Sequence, residues 1–293
     1  MVGTCSVTSD TDVCEQTVDP VVTTYFQLSD MSTTCNYLQW DDQYRKSPVS
    51  STLGEAKIEL INQLRRMRQH VFISKVQQRQ VKVLRERLTS EEAVLQEDFS
   101  EKFNIKFQNE VMSAHWASNG VTLFTAVLNT RESVSSFVIS DDLQHAKAAV
   151  ACFNRVIMDV ANKEGVIKRL HCFSDGAASQ FKNRFSLSLL LYPEKEHKDL
   201  TQIDWSFFGT SHGKGPIDGV GGTVKRAVWQ RILREQVVVG TAEEFTAVAS
   251  KCCPNITIMY VTSEEVEAVR NELNDLWMLN PPKPIPAFRF LTQ

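Results

Sequence analysis

Three aspartates are the residues of this sequence best placed to do chemistry. Asp98 follows the apolar run AVLQE, Asp175 follows VIKRLHCFS, and Asp218 lies within the glycine-rich stretch HGKGPIDGVGG. Carboxylates that meet at one spot repel each other unless cations join them, and their hard oxygens suit Mg²⁺ or Mn²⁺. Together the three acids predict a site for two such ions, roughly 4 Å apart, that would clamp the attacking and leaving oxygens of a phosphodiester.

Side chains suited to phosphate binding accompany these acids. Gly176, Ala177 and Ala178 directly follow Asp175, and their small size would let a polynucleotide backbone approach. Cationic and amide side chains position nucleic acid through its phosphates. We expect seven of them to contact nucleic acid here: Gln180, Lys182, Arg184, His212, Lys214, Lys225 and Arg226.

Each aspartate also has an ordinary structural explanation. Asp98 is a surface acid beside Glu97 and Glu101, Asp175 begins an Asp-Gly turn, and Asp218 is a helix N-cap or a turn residue. A metal site is nevertheless favoured, because one fold would bring all three acids together.

The elements that must position the acids follow from hydrophobic periodicity. The pattern predicts five strands, near residues 93–99, 121–128, 135–140, 166–174 and 203–211. It predicts helices over 143–162, with Asp142 as N-cap, and over 223–235. Strands with short links form an antiparallel meander, whereas strands joined through helices pair in parallel. This order predicts an α/β fold, a ribonuclease H-like mixed five-stranded sheet flanked by helices. Its first and fourth strands are neighbours, so Asp98 and Asp175 would meet.

The sequence divides into four expected segments. Residues 1–54 should be largely irregular, and residues 91–236 should form the catalytic domain. Residues 55–90 should form a helical region, which carries nine Lys or Arg residues and three Glu residues. That charge has two interpretations, contact with phosphates or a solvated helix face. Residues 237–293 should form a small α/β appendage, with a helix from Ala242, a strand over 255–261 and a helix from Ser263.

Composition excludes several classes of protein. The 293 residues carry a net charge of −3, so the chain as a whole is not a basic nucleic-acid binder, although local patches still count. It contains no apolar run long enough for a membrane span, and its N-terminus lacks the apolar core of a secretory signal. Seven cysteines without a CxxC pair indicate reduced thiols rather than a zinc finger. We therefore expect a nuclear or cytoplasmic protein that is neither secreted nor bound to membranes.

The glycine-rich stretch does not fit a nucleotide-binding loop. Gly215 follows Lys214 where a phosphate-binding loop requires Ser or Thr, and the GxGxxG spacing also fails. We expect no nucleotide cofactor.

Several long motifs resemble a known family. LQEDFSEKF, VISDDLQHAKAAV, FSDGAASQFKNRF and WSFFGTSHGKGPIDGVGGTVKR together resemble transposon-derived animal proteins, similar to the catalytic domain of DDE-type transposases. The resemblance runs from about Cys35 to Phe290. It places the family's acids on Asp98, Asp175 and Asp218. DFSEKF departs from the more usual DFSENY.

The resemblance implies cleavage and transfer of DNA strands with divalent metal. It also implies a parent protein with a DNA-binding region upstream, and residues 1–54 contain no recognisable finger or helix-turn-helix. DNA is the expected partner, and a homo-oligomer remains open. The alternative is a truncated or domesticated remnant, a non-catalytic nuclear protein that binds DNA or protein. A ribonuclease is a third hypothesis, although no feature of the sequence reads a 2′-hydroxyl.

Overall fold

The structure is a computed structural model that describes residues 20–27, 29–40, 45–104, 120–141, 147–208, 215–235 and 237–283. The chain divides into two compact units. Met1–Val76 and Ala287–Gln293 make the first, and Gln77–Pro286 make the second.

The first unit contains a β-hairpin where the sequence was expected to be irregular. Strands β1 (Thr34–Trp40) and β2 (Lys46–Thr52) pair antiparallel. Half-buried and exposed residues alternate along both strands, which is the period-2 pattern of a hairpin with one covered face. The expectation of an irregular segment was wrong here, because the half-buried positions of this pattern are mostly small or polar and so gave no clear apolar alternation.

A single long helix follows the hairpin directly. Helix α1 (Leu53–Arg87) is 35 residues long. It begins with a reciprocal cap, in which the Glu55 carboxylate accepts from the Thr52 backbone N–H (3.0 Å) and the Thr52 hydroxyl accepts from the Glu55 N–H (3.3 Å). The predicted basic helical region is therefore continuous.

The second unit is built on one mixed sheet. Its strands are β3 (Glu92–Asn104), β4 (Gly120–Asn129), β5 (Val134–Asp141), β6 (Arg169–Ser174), β7 (Gln202–Phe207) and β8 (Thr257–Tyr260). They lie in the order β7-β6-β3-β4-β5-β8. Strands β3, β4 and β5 pair antiparallel, while β6 is parallel to β3 and β7 is parallel to β6. The five predicted strands and the pairing of the first four are confirmed.

Helices cover both faces of this sheet. Helices α2 (Lys147–Ala161) and α6 (Ser263–Leu279) pack into the core on one face, which we call face A. Helices α4 (Pro216–Glu235) and α5 (Ala242–Cys252) pack on face B. A short helix, α3 (Arg184–Ser188), follows the loop after β6. The residues predicted to precede α2, including its proposed cap Asp142, lie outside the described residues.

The C-terminal segment is not an appendage. Its predicted helix, strand and helix are present as α5, β8 and α6. However, β8 pairs in parallel with β5 and becomes the sixth strand of the main sheet. Phe245 of α5 and Leu273 of α6 are fully buried in the cores of the two faces. The reason is that β5 would otherwise present an open strand edge, which β8 satisfies.

Helix α4 begins earlier than its sequence suggests. The prediction placed its start at residue 223, whereas the helix starts at Pro216 and includes three glycines. Proline suits the first helical position because that residue needs no N–H donor. Asp218 therefore lies inside the first turn and is not the N-cap that its ordinary structural explanation allowed. Among the described helices, none combines the length and the hydrophobicity that a membrane span requires.

Candidate functional site

Strand register brings Asp98 and Asp175 to the same level of the sheet. The last pair between the parallel strands β3 and β6 joins Gln96 to Phe173. Two residues farther along each chain lie Asp98 and Asp175. Neighbouring strands lie about 4.8 Å apart, so two aspartates at one level are close neighbours.

Alternation along β3 directs the Asp98 side chain to face B. The next residue, Phe99, packs into the core of face A with its ring 5.1 Å from that of Phe124. Successive side chains of a strand point to opposite faces. Asp98 therefore shares face B with Val94, which is buried together with Phe173.

The surroundings of Asp98 resist its ionisation. Burial, the charge of Asp175 and, more weakly, that of Asp218 together raise the pKa of this carboxyl to about 6, while the Phe99 backbone N–H offsets part of the shift. Strand β3 is also held by its neighbour β4, whose Thr125 hydroxyl donates to the Asp98 carbonyl oxygen at 3.1 Å. The contributions of Asp175 and Asp218 to this shift indicate that the three aspartates are close enough to interact.

Close packing of α4 brings Asp218 toward this pair. At Gly221 a Cβ atom would lie 2.8 Å from Ser100 Oγ, 3.2 Å from Ser100 Cβ and 3.0 Å from Thr125 Cγ2. Only glycine permits such an approach between helix and sheet. Asp218 precedes Gly221 by three residues and so lies on the same side of the helix. Its side chain is exposed, and its charge makes the smallest contribution to the pKa of Asp98.

The loop after Asp175 is a compact turn. Asp175 Oδ1 accepts from the Ala177 backbone N–H at 3.0 Å. The Ala177 carbonyl accepts in turn from the N–H groups of Gln180, Phe181 and Lys182. Phe181 is fully buried in the core of face A and anchors the turn there. Asp175 thus forms the turn that its Asp-Gly dipeptide predicted.

Lys182 lies beside the same turn. Its ammonium nitrogen is 5.6 Å from the centroid of the Phe207 ring, at the end of β7, and its Cδ is 3.9 Å from where a Cβ of Gly176 would lie. Burial lowers the pKa of Lys182. The aromatic ring holds this cation near the carboxyl ends of β6 and β7.

Residues 77–288 match a family described as Domain of unknown function (DUF8701). The chain belongs to this family. No curated protein matches it.

The other predicted contacts of this DUF8701 chain are dispersed. Gln180 is half-buried in the turn and Arg184 is exposed at the start of α3. Lys225 is half-buried and Arg226 is exposed, both on α4. His212 and Lys214 lie outside the described residues.

The carboxylates fit a divalent cation in chemistry, but the described part of the chain does not assemble a full ligand set. In those residues, no group of three or more His, Cys, Asp and Glu side chains is close enough to hold a metal ion. Asp98 and Asp175 supply hard oxygens at one level of the sheet, and no cation contributes to the pKa of Asp98 among the described residues. The pair therefore fits Mg²⁺ or Mn²⁺, while Asp218 is the weakest member of the site.

Sequence reasoning missed two residues that shape the DUF8701 site. Gly221 sets how closely α4 approaches the sheet, and Phe207 holds Lys182. A signal for the first was present, since glycines inside a helix need a packing reason. No signal in the sequence indicated the role of Phe207, because an aromatic residue at a strand end is usually part of the core.

Proposed function

We propose that this chain is a transposase-derived, metal-dependent endonuclease or polynucleotidyl transferase with a ribonuclease H-like fold that acts on DNA phosphodiesters. The strand order supports the fold assignment. An antiparallel meander, β3 to β5, is extended by β6 and β7 on the side of β3, which is the arrangement expected of that fold.

The observation that carries the function is the proximity of the three acids, at the middle of β3, just after the end of β6 and in the first turn of α4. Asp98 and Asp175 lie at the same level of adjacent parallel strands, and the pKa of Asp98 is raised to about 6 by burial and by the charges of Asp175 and Asp218. Asp98 and Asp175 are both half-buried, and like charges this close disfavour each other's ionisation at a cost in stability. Such a cost is ordinarily kept only where a ligand or a reaction uses it.

In this proposal the residues have distinct roles. Asp98 and Asp175 would hold the divalent cation, and Asp218 would complete the site when α4 or the substrate brings it closer. The cation, when bound, would supply an activated oxygen nucleophile and stabilise the leaving oxygen. Lys182 would contact a phosphate beside the scissile bond, because Phe207 fixes its ammonium group next to the turn of Asp175.

Nicking of supercoiled plasmid DNA tests the proposal. We expect the wild type to nick DNA in Mg²⁺ or Mn²⁺ and Asp175→Asn to be slower by roughly two orders of magnitude or more. Asp275→Asn is the matched control, since Asp275 is an exposed acid on α6. Equal nicking by wild type and Asp175→Asn would show that the activity, if present, does not belong to this site.

The exposure of Asp218 favours a second candidate. A remnant that had lost its third ligand would keep the fold and bind DNA or protein without cleaving. DNA binding by the wild type without nicking in either metal would select this alternative.

A further inference from the structure

We propose that the exposed basic side of the last part of α1, residues 77–87, binds the phosphate backbone of duplex DNA beside Asp98 and Asp175. This inference rests on the proposed function, since it identifies the surface that brings the substrate to the acids.

Two kinds of contact fix this part of α1 on the sheet. Gln77 Nε2 donates to the backbone carbonyl of Phe207, the last residue of β7. Val81 is buried in one cluster with Val94 of β3 and Phe173 of β6. The helix segment therefore lies across the strands that carry the two aspartates.

The segment lies on the same side of the sheet as those aspartates. Phe173 precedes Asp175 by two residues, and Val94 precedes Asp98 by four. Residues an even number apart in a strand share a face. Both carboxylates and the helix segment thus belong to face B.

The outward side of the segment is strongly basic. Its exposed charged residues are Arg79, Lys82, Arg85, Glu86 and Arg87. The ion pair between Lys82 and Glu86 spans 3.9 Å with both side chains well exposed, so it contributes little to stability. No salt bridge joins Arg79, Arg85 or Arg87 to any other residue that the structure describes.

These cations are not needed to hold the helix. Val81 of the helix, and Leu88 directly after it, are already buried with Val94 and Phe173 of the sheet. A site made of carboxylates repels a polyanion, and the chain as a whole is acidic, with a net charge of −3. Local cations must therefore attract the DNA, and those of α1 lie on the face where the acids are.

Salt-dependent binding of a fluorescein-labelled DNA duplex, measured by anisotropy with the full chain and without metal, tests the inference. We expect Arg79→Gln/Lys82→Gln to weaken binding about tenfold at low salt and to reduce the slope of log K against log salt by about two. Glutamine preserves helix propensity, so the fold should be unaffected. Lys163→Gln/Lys198→Gln is the control with the same charge change, because these exposed lysines border a cleft lined by α2 and α6, the helices of face A.

Each result separates this inference from the proposed function. The inference is supported if the α1 variant, but not the control variant, binds DNA more weakly and with a smaller salt slope. This holds whether or not the wild type nicks DNA. The inference is overturned if both double variants lose DNA affinity equally, or if neither does. That holds even if Asp175→Asn still abolishes nicking. If Arg79→Gln/Lys82→Gln weakened the binding of duplex RNA as much as that of duplex DNA, the surface would bind any double-stranded polyanion. That result would overturn the assignment of DNA as the partner.

Discussion

Two neighbouring residues of β3 place acids in opposite environments. Glu97 points into the core of face A, where it is fully buried, and Asp98 points to face B, where it is half-buried. Burial raises the pKa of Glu97 well above its usual value, and the charge of Glu196 adds to the shift. Asn154 lies close enough to offset part of it, although no hydrogen bond of ordinary geometry reaches either oxygen of Glu97 among the described residues.

These acids differ in whether solvent can reach their carboxyl groups. Glu97 and Glu196 are enclosed, so they are best accommodated as neutral carboxylic acids that need no cation. Asp98 is only partly buried and faces two other aspartates, so a cation from solvent can reach and stabilise it. Buried acids are thus of two kinds in this molecule. One kind is neutralised by a proton, and the other is accessible to the metal ion that we propose.

The largest expected effect concerns the enclosed acids. Burial raises the pKa of Glu196 from its ordinary 4.5 to about 8, with Arg155 offsetting part of the shift. A group whose pKa is raised by folding stabilises the protein below its unfolded value, and that stability is lost as the pH rises through the folded value. Glu196→Gln should therefore raise the free energy of unfolding by on the order of a few kcal/mol at about pH 9, and much less at about pH 5.

Urea unfolding at both pH values measures this effect. Glu194→Gln is the control, because Glu194 is exposed two residues away. If the two variants showed the same pH dependence as the wild type, Glu196 would not be a proton-neutralised acid, and the contrast with Asp98 would be lost.

A smaller effect is expected where α4 meets the sheet. Gly221→Ala should destabilise the fold by about 1–3 kcal/mol, since the Ser100 hydroxyl can rotate away but the Ser100 Cβ and the Thr125 methyl cannot. Gly222→Ala should stabilise it by about 0.5–1 kcal/mol, because no atom lies within 4 Å of that position. Urea unfolding and plasmid nicking are the measurements. Similar stabilities for the two variants would mean that Gly221 does not control the helix position.

The smallest effect on stability is expected at Asp98. Its raised pKa means that an ionised Asp98 opposes folding once the pH exceeds about 6. Asp98→Asn should therefore stabilise the metal-free protein at neutral pH by about 1 kcal/mol or less, after solvent screening. Added Mg²⁺ should raise the Tm of the wild type and of Asp275→Asn, but not that of Asp98→Asn. A Tm shift that survives in Asp98→Asn would place the metal elsewhere.

Local patterns predicted the parts of the fold that depend on local physics. Alternation and helical periodicity located β3 to β7 and α2, because each buries an apolar face of its own. The position of Asp98 and Asp175 at one level followed from strand order alone. The hairpin of residues 34–52 was missed because its covered positions are mostly small or polar rather than clearly apolar.

The rest depended on contacts between distant segments. Nothing local shows that β8 joins β5, since an isolated four-residue strand has no preferred partner. Glu97 was considered only as a surface neighbour of Asp98, because the residues that interact with it in the folded chain, Glu196 and Asn154, are remote in sequence. The approach of α4 at Gly221 likewise exists only in the folded chain.

The central claim is that Asp98 and Asp175 bind one divalent cation together. Anomalous diffraction from crystals of the full chain soaked in MnCl₂ tests it most directly. The account predicts a manganese peak in contact with carboxylate oxygens of both residues, and its loss in Asp175→Asn crystals. A manganese peak at another site would contradict the claim. So would the absence of a peak when the carboxylates of Asp98 and Asp175 are ordered and free of other ligands.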